Sequence, residues 1–446
     1  MRAPSPRTRW LWVLLWCTLA AVLVARAARR PESRGVILDH LEFGRRLLHG
    51  EDVYGPWRSD PDAPVRPLHA PYPPSFGLLV APFSAIDEAF GHRAARATWA
   101  LLQVGCLVAT ALVLRRRTLA QTTVAGPHMW HVLWLLLFVL GARFVLRDTH
   151  GGGGNLINLG LCLLAFDAAE RERPRRAGLW LGLSLATKPT QIWLLPVLLL
   201  LGRGRAVGWT LVCGAGAVLL TLALQRFELA PWWRWFEGSW RLGTQGDAFA
   251  VPALDFPPFE WMNQSLRCAV ARWCGTVPDE FAARVAWGVP PGLGLSLPVV
   301  VGITRGLSLA ALLAVLATAW RARAVPAARL WVVAAALVLS VLLGPLSWKA
   351  HYVVVLPVLF LLLQQATAAP IARARRTAWA LLAGFAVCCL PGEAIVGDAG
   401  DEWQNSVYLV TAWACVLLVV ALRTAWSLAS ENQEPALTTG TRERLG

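Results

Sequence analysis

Lys188 is one of only two lysines in this chain of 446 residues, and the other is Lys349. It stands in the stretch LATKPTQIW, near the middle of a mostly apolar segment from residue 177 to residue 202. A charged side chain at membrane depth is costly and is a functional candidate by default. Its ammonium group can bind a phosphate as a point charge, or it can extend toward lipid headgroups.

A carboxylate and a histidine are the candidate catalytic groups. Asp39 stands at the start of the amphipathic stretch ILDHLEFGRRLLHG, where a carboxylate can accept a proton from a hydroxyl; a solvated surface acid is the alternative. His351 follows Trp348 by three residues at the mouth of a later apolar segment, where it can donate a hydrogen bond to a phosphate or orient a base. An interfacial histidine without a catalytic role is the alternative there.

Other polar residues form the candidate substrate-binding set. Four consecutive glycines, Gly151 to Gly154, let backbone amides approach a ligand or form an anion-binding nest, or they simply make a flexible loop. No Gly-rich nucleotide loop and no metal triad appears in the sequence, so we predict no bound metal and no nucleotide-sugar donor. The predicted substrate-binding residues are Lys188, Asn155, Asn158, Tyr72, Asn263, Gln264, Trp348 and Lys349.

The composition indicates which elements must position these groups. With 56% hydrophobic residues, 15% charged residues and a mean hydropathy of +0.50, the chain is typical of an integral membrane protein. The net charge of +15 does not indicate nucleic-acid binding, because the arginines stand at the ends of apolar segments, as the positive-inside rule requires. Nine cysteines are scattered; Cys268 and Cys274 share one loop, and the sequence leaves a disulfide between them open.

We therefore predict an all-α, polytopic membrane protein with about ten full crossings and two re-entrant pieces. After the first crossing, the others are predicted at 94–114, 130–146, 156–169, 207–227, 297–320, 327–345, 352–366, 377–396 and 406–428. A single membrane domain covers residues 1–430, followed by a cytoplasmic tail at 431–446. The first crossing, Trp10 to Ala28, is followed by an external segment at 29–72, although this start also suits a cleavable signal peptide. Residues 73–86 are predicted to be re-entrant, residues 177–202 to form a hairpin broken at Lys188-Pro189, and residues 228–295 to form a large external loop.

With this orientation the unusual polar stretches all fall on the external face. The arginine triplet at 115–117 and the stretch RERPRR at 171–176 are predicted to lie in the cytoplasm. The cytoplasmic loops carry little besides arginine. The sequence therefore places any chemistry outside the membrane, on the periplasmic or extracytoplasmic side.

Four of these stretches together resemble glycosyltransferase family 87, whose members use polyprenol-phosphate sugars. They are ILDHLEFGRRLLHGEDVYGPW with PYPPSFGLLVAPFSAI, GGGGNLINLGLCLLAF with LATKPT, WMNQSL, and PLSWKAHYVVVLP. Their order and spacing extend over residues 10–366. Two departures stand out: asparagine (Asn155 or Asn158) replaces the usual glutamine after the glycine, and Lys349 occupies a position that is often acidic.

The resemblance implies a GT-C fold and a catalytic cavity on the external face. It assigns the base role to Asp39, support of the site to His351, and donor-phosphate binding to Lys188. The expected activity is a mannosyltransferase that moves a hexose from polyprenyl phosphate to a lipid or glycan acceptor, with inversion and without any cofactor besides the lipid-linked donor.

A transporter or flippase of a polyprenyl-linked sugar is the main alternative from another class. It predicts polar residues on both membrane faces and internal repeats, and neither is visible in this sequence.

Overall fold

The computed structural model describes residues 6–30, 35–57, 66–67, 72–119, 127–250 and 259–431, so the predicted tail after residue 431 lies outside the described residues. The regular structure of these residues is almost entirely helical. Two short strands, β1 (Pro56–Trp57) and β2 (Arg66–Pro67), pair in the antiparallel direction.

The first nine helices are α1 Pro6–Ala28, α2 Ile37–His49, α3 Phe76–Phe90, α4 His92–Leu119, α5 Pro127–Gly151, α6 Asn155–Glu170, α7 Pro174–Thr187, α8 Leu194–Leu200 and α9 Gly204–Leu224. The next nine are α10 Ala230–Thr244, α11 Leu266–Cys274, α12 Asp279–Ala282, α13 Leu297–Ala322, α14 Pro326–Leu343, α15 Leu356–Ala368, α16 Ala372–Cys389, α17 Glu393–Ser406 and α18 Leu409–Glu431, and two 3-10 helices cover Pro189–Gln191 and Lys349–Val355.

Eight helices in the described residues are long and apolar enough to cross a membrane, and the number rises to ten if each of two bent helix pairs is one span. Each of these eight helices begins within a few residues of the start of a predicted crossing. The predicted crossing at 156–169 is α6, which has 16 residues and is buried along most of its length. The prediction of an all-α, multi-span membrane protein is confirmed.

The helix α14 lies at the centre of the bundle. Nearly every side chain from Leu330 to Leu342 is buried, because α13, α18, α15 and α8 pack around it. A helix that is apolar on all sides is expected in such a central position. By contrast, α13 and α9 keep most of their apolar surface exposed, as helices that face lipid do.

The break predicted at Lys188-Pro189 is present. The helix α7 ends at Thr187, and Lys188 adopts an extended backbone (φ −150°, ψ 92°), since a residue that precedes proline is disfavoured in the α region. The chain then turns through the 3-10 helix into α8, and the two arms are bent by 119°. Lys188 is thus held at the corner of a broken segment.

The segment predicted to be re-entrant, residues 73–86, folds differently. It is one continuous helix, α3, which contains Pro82 and does not turn back on itself. Packing against α2 explains this continuity: Phe76, Val80 and Ser84 are buried there, and the Ser84 hydroxyl donates to the Leu41 carbonyl at 2.6 Å.

Two polar regions complete the fold. The predicted loop at 228–295 contains three short helices, α10, α11 and α12, and the thiols of Cys268 and Cys274 are free within α11. The predicted crossing at 377–396 ends earlier, at Cys389, because Pro391 and Gly392 follow. A separate polar helix, α17, comes next and kinks at Gly397.

Candidate active site

A chain of hydrogen bonds connects Lys188 to a buried acid. The Nζ atom of Lys188 donates to Oδ1 of Asn155 at 2.5 Å, and Nδ2 of Asn155 donates to Oδ1 of Asp148 at 2.6 Å. All three side chains are buried. A buried cation needs a nearby negative charge, and Asp148 supplies it across one amide. The ammonium group has three N–H donors, and one of them is used in the described part of the chain.

The residues directly after the glycine run bind an anion, and this anion is a side chain of the protein itself. The carboxylate of Asp148 accepts the backbone N–H groups of Asn155 at 3.3 Å and Leu156 at 2.9 Å, at the start of α6. Gly152 has a positive φ of 73°, and a Cβ there would lie 2.4 Å from Cβ of Ile37. A Cβ on Gly153 would lie 2.2 Å from the Asp148 carboxylate. The glycines therefore allow α2 and Asp148 to approach this loop closely.

Tyr72 brings the first candidate segment into contact with Lys188. Its ring centroid is 5.4 Å from Nζ of Lys188 and stacks on Phe76 at 4.2 Å. Burial raises the pKa of the Tyr72 hydroxyl, and the negative charges of Asp148 and Asp39 raise it further. Asp39 and Asp148 therefore both lie within electrostatic range of this one side chain.

Asp39 lies in the first turn of α2 and is half-buried. The start of that helix is bound to the glycine loop, because the backbone N–H of Val36 donates to the Gly151 carbonyl at 3.0 Å. A carboxylate is stabilised at a helix N-terminus. The structure thus places the predicted base beside the loop that holds Asp148 and Asn155.

His351 lies on the other side of the same cluster. Its Nδ1 accepts the backbone N–H of Trp348 at 2.7 Å, so in the neutral imidazole the proton is on Nε2. The ring lines a small polar cavity of about 10 Å³, the room of roughly one water molecule, together with Asn155, Asn158 and Gln191. Lys188 also lies within electrostatic range of His351.

Two other predicted binding residues use their side chains to join elements. Asn158 donates to Oγ1 of Thr190 at 3.1 Å and accepts from the Ser184 hydroxyl, so it fixes the break around Lys188. Lys349 is buried and its Nζ lies 2.5 Å from Oδ2 of Asp401, a residue of α17. Arg143 contacts the other oxygen of that carboxylate at 2.5 Å.

Asn263 and Gln264 connect the WMNQS stretch to later parts of the chain. Asn263 donates to the Pro345 carbonyl at 3.0 Å and accepts the Ser347 N–H at 2.9 Å. The buried amide of Gln264 donates to the carbonyls of Trp261 and Asn405, each at 2.9 Å. These contacts hold the loop that contains Trp348 and His351, and a direct substrate contact by either residue stays a prediction.

Sequence reasoning missed three groups that the structure brings to the site. Asp148 was available as an acid in the last turn of an apolar helix, three residues before the first glycine of the run. His40 follows Asp39 and packs edge-on against Tyr72 at 5.2 Å and Phe76 at 4.8 Å. Burial and the charge of Lys188 lower the pKa of His40 to about 3, so it is neutral. Asp401 is one of four acids in α17, and nothing in the sequence distinguishes it from the other three.

The cluster combines a half-buried carboxylate, a buried lysine at a break in a membrane segment, and a neutral histidine in a helical membrane protein. The sequence model of glycosyltransferase family 87 matches residues 70–345, more than half of the chain. The chain belongs to this family and is a membrane glycosyltransferase.

One curated relative extends the comparison. A polyprenol-phosphate-mannose-dependent alpha-(1-2)-phosphatidylinositol mannoside mannosyltransferase from Mycobacterium tuberculosis (strain ATCC 25618 / H37Rv) is 27% identical over 376 residues. These residues cover 80% of this chain and 78% of the relative. No solved structure matches the chain.

Proposed function

We propose that this glycosyltransferase moves mannose from a polyprenyl phosphate to a hydroxyl group of a lipid or glycan acceptor, on the external face and with inversion. One observation supports this most strongly: Tyr72 lies near the ammonium of Lys188, at 5.4 Å, and within range of the Asp39 charge. The cation can bind the phosphate of the donor, and the carboxylate can accept the proton of the attacking hydroxyl.

The transfer takes place in one displacement. Asp39 accepts the proton of the acceptor hydroxyl while that oxygen attacks C1 of the donor sugar from the face opposite the phosphate. The new bond to C1 forms as the bond between C1 and the phosphate oxygen breaks, and the phosphate leaves with the electron pair. A phosphate needs little protonation to leave, so one carboxylate suffices, whereas glycosidases use two.

Lys188 and His351 stabilise the departing phosphate. Lys188 is fixed by Asn155, which leaves N–H donors for a phosphate oxygen near the broken corner. The Trp348 N–H fixes the ring of His351 and leaves Nε2–H as a donor toward the polar cavity. Donors aimed at growing negative charge stabilise the transition state more than the ground state. The proposal requires no metal ion and no cofactor besides the lipid-linked sugar.

The other predicted binding residues fall into two groups, those that line the sugar-phosphate site and those that support its walls. We assign Tyr72, Asn155 and Trp348 to the wall of the sugar-phosphate site, since they touch Lys188 or His351. Asn158, Lys349, Asn263 and Gln264 hold the elements that carry this wall.

The donor and the sugar follow from the relative, whose printed name specifies polyprenol-phosphate mannose. Its printed acceptor, a phosphatidylinositol mannoside, is consistent with a lipid acceptor here. Membership of a glycosyltransferase family favours an enzyme over a transporter of the same lipid-linked sugar.

The Asp39→Asn variant tests the chemistry. Purified protein is assayed with polyprenyl-phosphate mannose and a membrane-lipid acceptor fraction. We expect the rate to fall by about 10²–10⁴-fold, the usual contribution of a positioned base, with unchanged detergent-purified yield. Glu88→Gln, an exposed acid on α3, is the control and keeps full activity. Full activity of Asp39→Asn would remove Asp39 as the base.

A topology reporter tests the external face. A reporter fused after Arg117 is expected to read cytoplasmic, because the arginine triplet follows the positive-inside rule. A reporter inserted at Gly288, in the region of α12, is expected to read external. The opposite pair of signals would place the site on the cytoplasmic face.

A further inference from the structure

A long apolar cavity lies away from the candidate site, between α1, α4 and α5. Its volume is about 330 Å³, and Leu356 of α15 also lines it. For comparison, an apolar cavity of ~150 Å³ holds a benzene ring. On α4 the lining runs from Val104 to Arg115, eleven helical steps or about 16 Å. This is the shape of a slot for one aliphatic chain.

One end of this cavity carries the guanidinium of Arg115, which forms no ion pair within the described part of the chain. Arg115 lines the cavity, and it lies 5.9 Å from the ring of Trp130. Its neighbours Arg116 and Arg117 both contact the Asp167 carboxylate, at 2.5 and 2.6 Å. Arg115 has no carboxylate partner among the described residues, and the segment that follows, AQTTVAG at 120–126, contains no acid.

A second donor stands at the same end. Nδ1 of His131 accepts the indole N–H of Trp16 at 3.2 Å, so Nε2 carries the proton in the neutral ring. The ring of Trp12 stacks on this histidine at 4.9 Å. Both His131 and Trp16 line the cavity beside Arg115. The end therefore offers a fixed cation and a fixed N–H group to an anion.

A third polar group lies further inside. Thr110 also lines the cavity, and its buried hydroxyl has no hydrogen-bond partner within the described ranges. It precedes Arg115 by five residues, about 7.5 Å along the helix axis. A buried hydroxyl without a partner is unfavourable, and a ligand with an acceptor oxygen below its anionic group would satisfy it.

From these observations we infer that the cavity binds an anionic glycerophospholipid. Its phosphate contacts Arg115 and His131, an ester carbonyl accepts from Thr110, and one acyl chain fills the apolar remainder. Basic pockets between membrane helices on the cytoplasmic side bind such headgroups, and this end carries the arginine triplet that we predict to be cytoplasmic. A polyprenyl phosphate has no carboxylic ester carbonyl that could accept from the Thr110 hydroxyl, so we distinguish this cavity from the donor site.

Lipid retention by the full-length purified protein tests this inference without any variant. Delipidated protein is incubated with dioleoyl phosphatidylglycerol or dioleoyl phosphatidylcholine, and bound lipid is counted by native mass spectrometry. We expect one phosphatidylglycerol to be retained in preference to phosphatidylcholine. Equal retention of the two lipids would overturn the inference. Displacement of phosphatidylglycerol by an equimolar polyprenyl phosphate would also overturn it and assign the cavity to the donor.

Three variants locate the bound lipid. Arg115→Gln is expected to weaken phosphatidylglycerol binding about fivefold, as one arginine near a membrane surface contributes. Thr110→Val should weaken it about two- to tenfold, the range of one hydrogen bond. Ala111→Phe fills the slot and should abolish the retained lipid.

Arg116→Gln is the matched control, because it removes a charge from the same triplet without touching the cavity. An equal loss for Arg116→Gln and Arg115→Gln, in variants that elute as monodisperse protein, would contradict the placement. Retention that survives Ala111→Phe would do the same.

Discussion

The Nζ atom of Lys188 lies 2.5 Å from Oδ1 of Asn155, and this amide in turn donates to Asp148. The cation is therefore oriented by a neutral group, and its counter-charge is one residue further away. A direct ion pair would compete with a phosphate for the ammonium group. The observed arrangement keeps the lysine charged and still available to an anion.

Replacing Lys188 by methionine tests this arrangement. Lys188→Met keeps the length of the side chain and removes the charge, so we expect transfer from polyprenyl-phosphate mannose to slow by about 10²–10³-fold, as for loss of one oxyanion contact. The measurement is kcat with purified enzyme at saturating acceptor. An unchanged kcat would show that Lys188 only balances the negative charge of Asp148 and does not bind the phosphate.

The pair between Lys349 and Asp401 is expected to stabilise the fold. Asp401→Asn leaves the cations of Lys349 and Arg143 without their carboxylate, which for a buried pair costs about 3–5 kcal/mol. Adding Lys349→Met to this variant should restore part of the loss in thermal unfolding experiments. Glu237→Gln breaks a more exposed pair with Arg241 and should change stability by at most about 1 kcal/mol. Equal losses for the two single variants would contradict this view.

Gly152 is expected to tolerate no side chain. Gly152→Ala forces alanine into a positive φ, which costs about 1–3 kcal/mol, and pushes its Cβ against Ile37. Because α2 carries Asp39, activity should fall together with the unfolding temperature. Gly105→Ala on α4 meets open space and should be neutral or slightly stabilising. A stable and fully active Gly152→Ala protein would show that α2 does not depend on this contact.

His40 is expected to make the stability depend on pH. Its pKa is about 3 in the folded protein, against an ordinary value of 6.5, so the unfolded chain binds the extra proton as the pH falls. Stability is therefore complete above pH 6.5 and decreases below it, by about 2 kcal/mol at pH 5. His40→Phe keeps the aromatic packing and should flatten this slope in unfolding experiments between pH 5 and 8. Parallel slopes for the two proteins would exclude His40 as the source.

Residue type and position alone selected the main members of the candidate site, and their roles in catalysis stay predictions. Lys188 was recognisable because a lysine inside an apolar segment is rare and because the proline after it breaks the helix. Asp39 and His351 were recognisable from their places at the ends of apolar segments. The structure brings the surroundings of all three into one cluster around Tyr72 and Asn155.

The remaining features depend on contacts between distant parts of the chain. The Asp148 carboxylate binds the N-terminus of α6, directly after the glycine run, and no periodicity in the sequence reveals this contact. Packing against α2 keeps α3 continuous despite Pro82, so the prolines of this segment did not predict its conformation. The contacts of Gln264 with Asn405 and Thr411 join residues more than 140 positions apart.

Those long-range contacts of Gln264 also constrain biogenesis. Its side chain binds the Asn405 carbonyl, and its own carbonyl accepts from the hydroxyls of Tyr352 and Thr411. During synthesis, the loop around Gln264 cannot form these hydrogen bonds until residues 405–411 have left the ribosome. The enzyme is thus expected to mature only after its last hydrophobic segment has inserted, and prematurely terminated products should remain inactive and exposed to quality-control proteases.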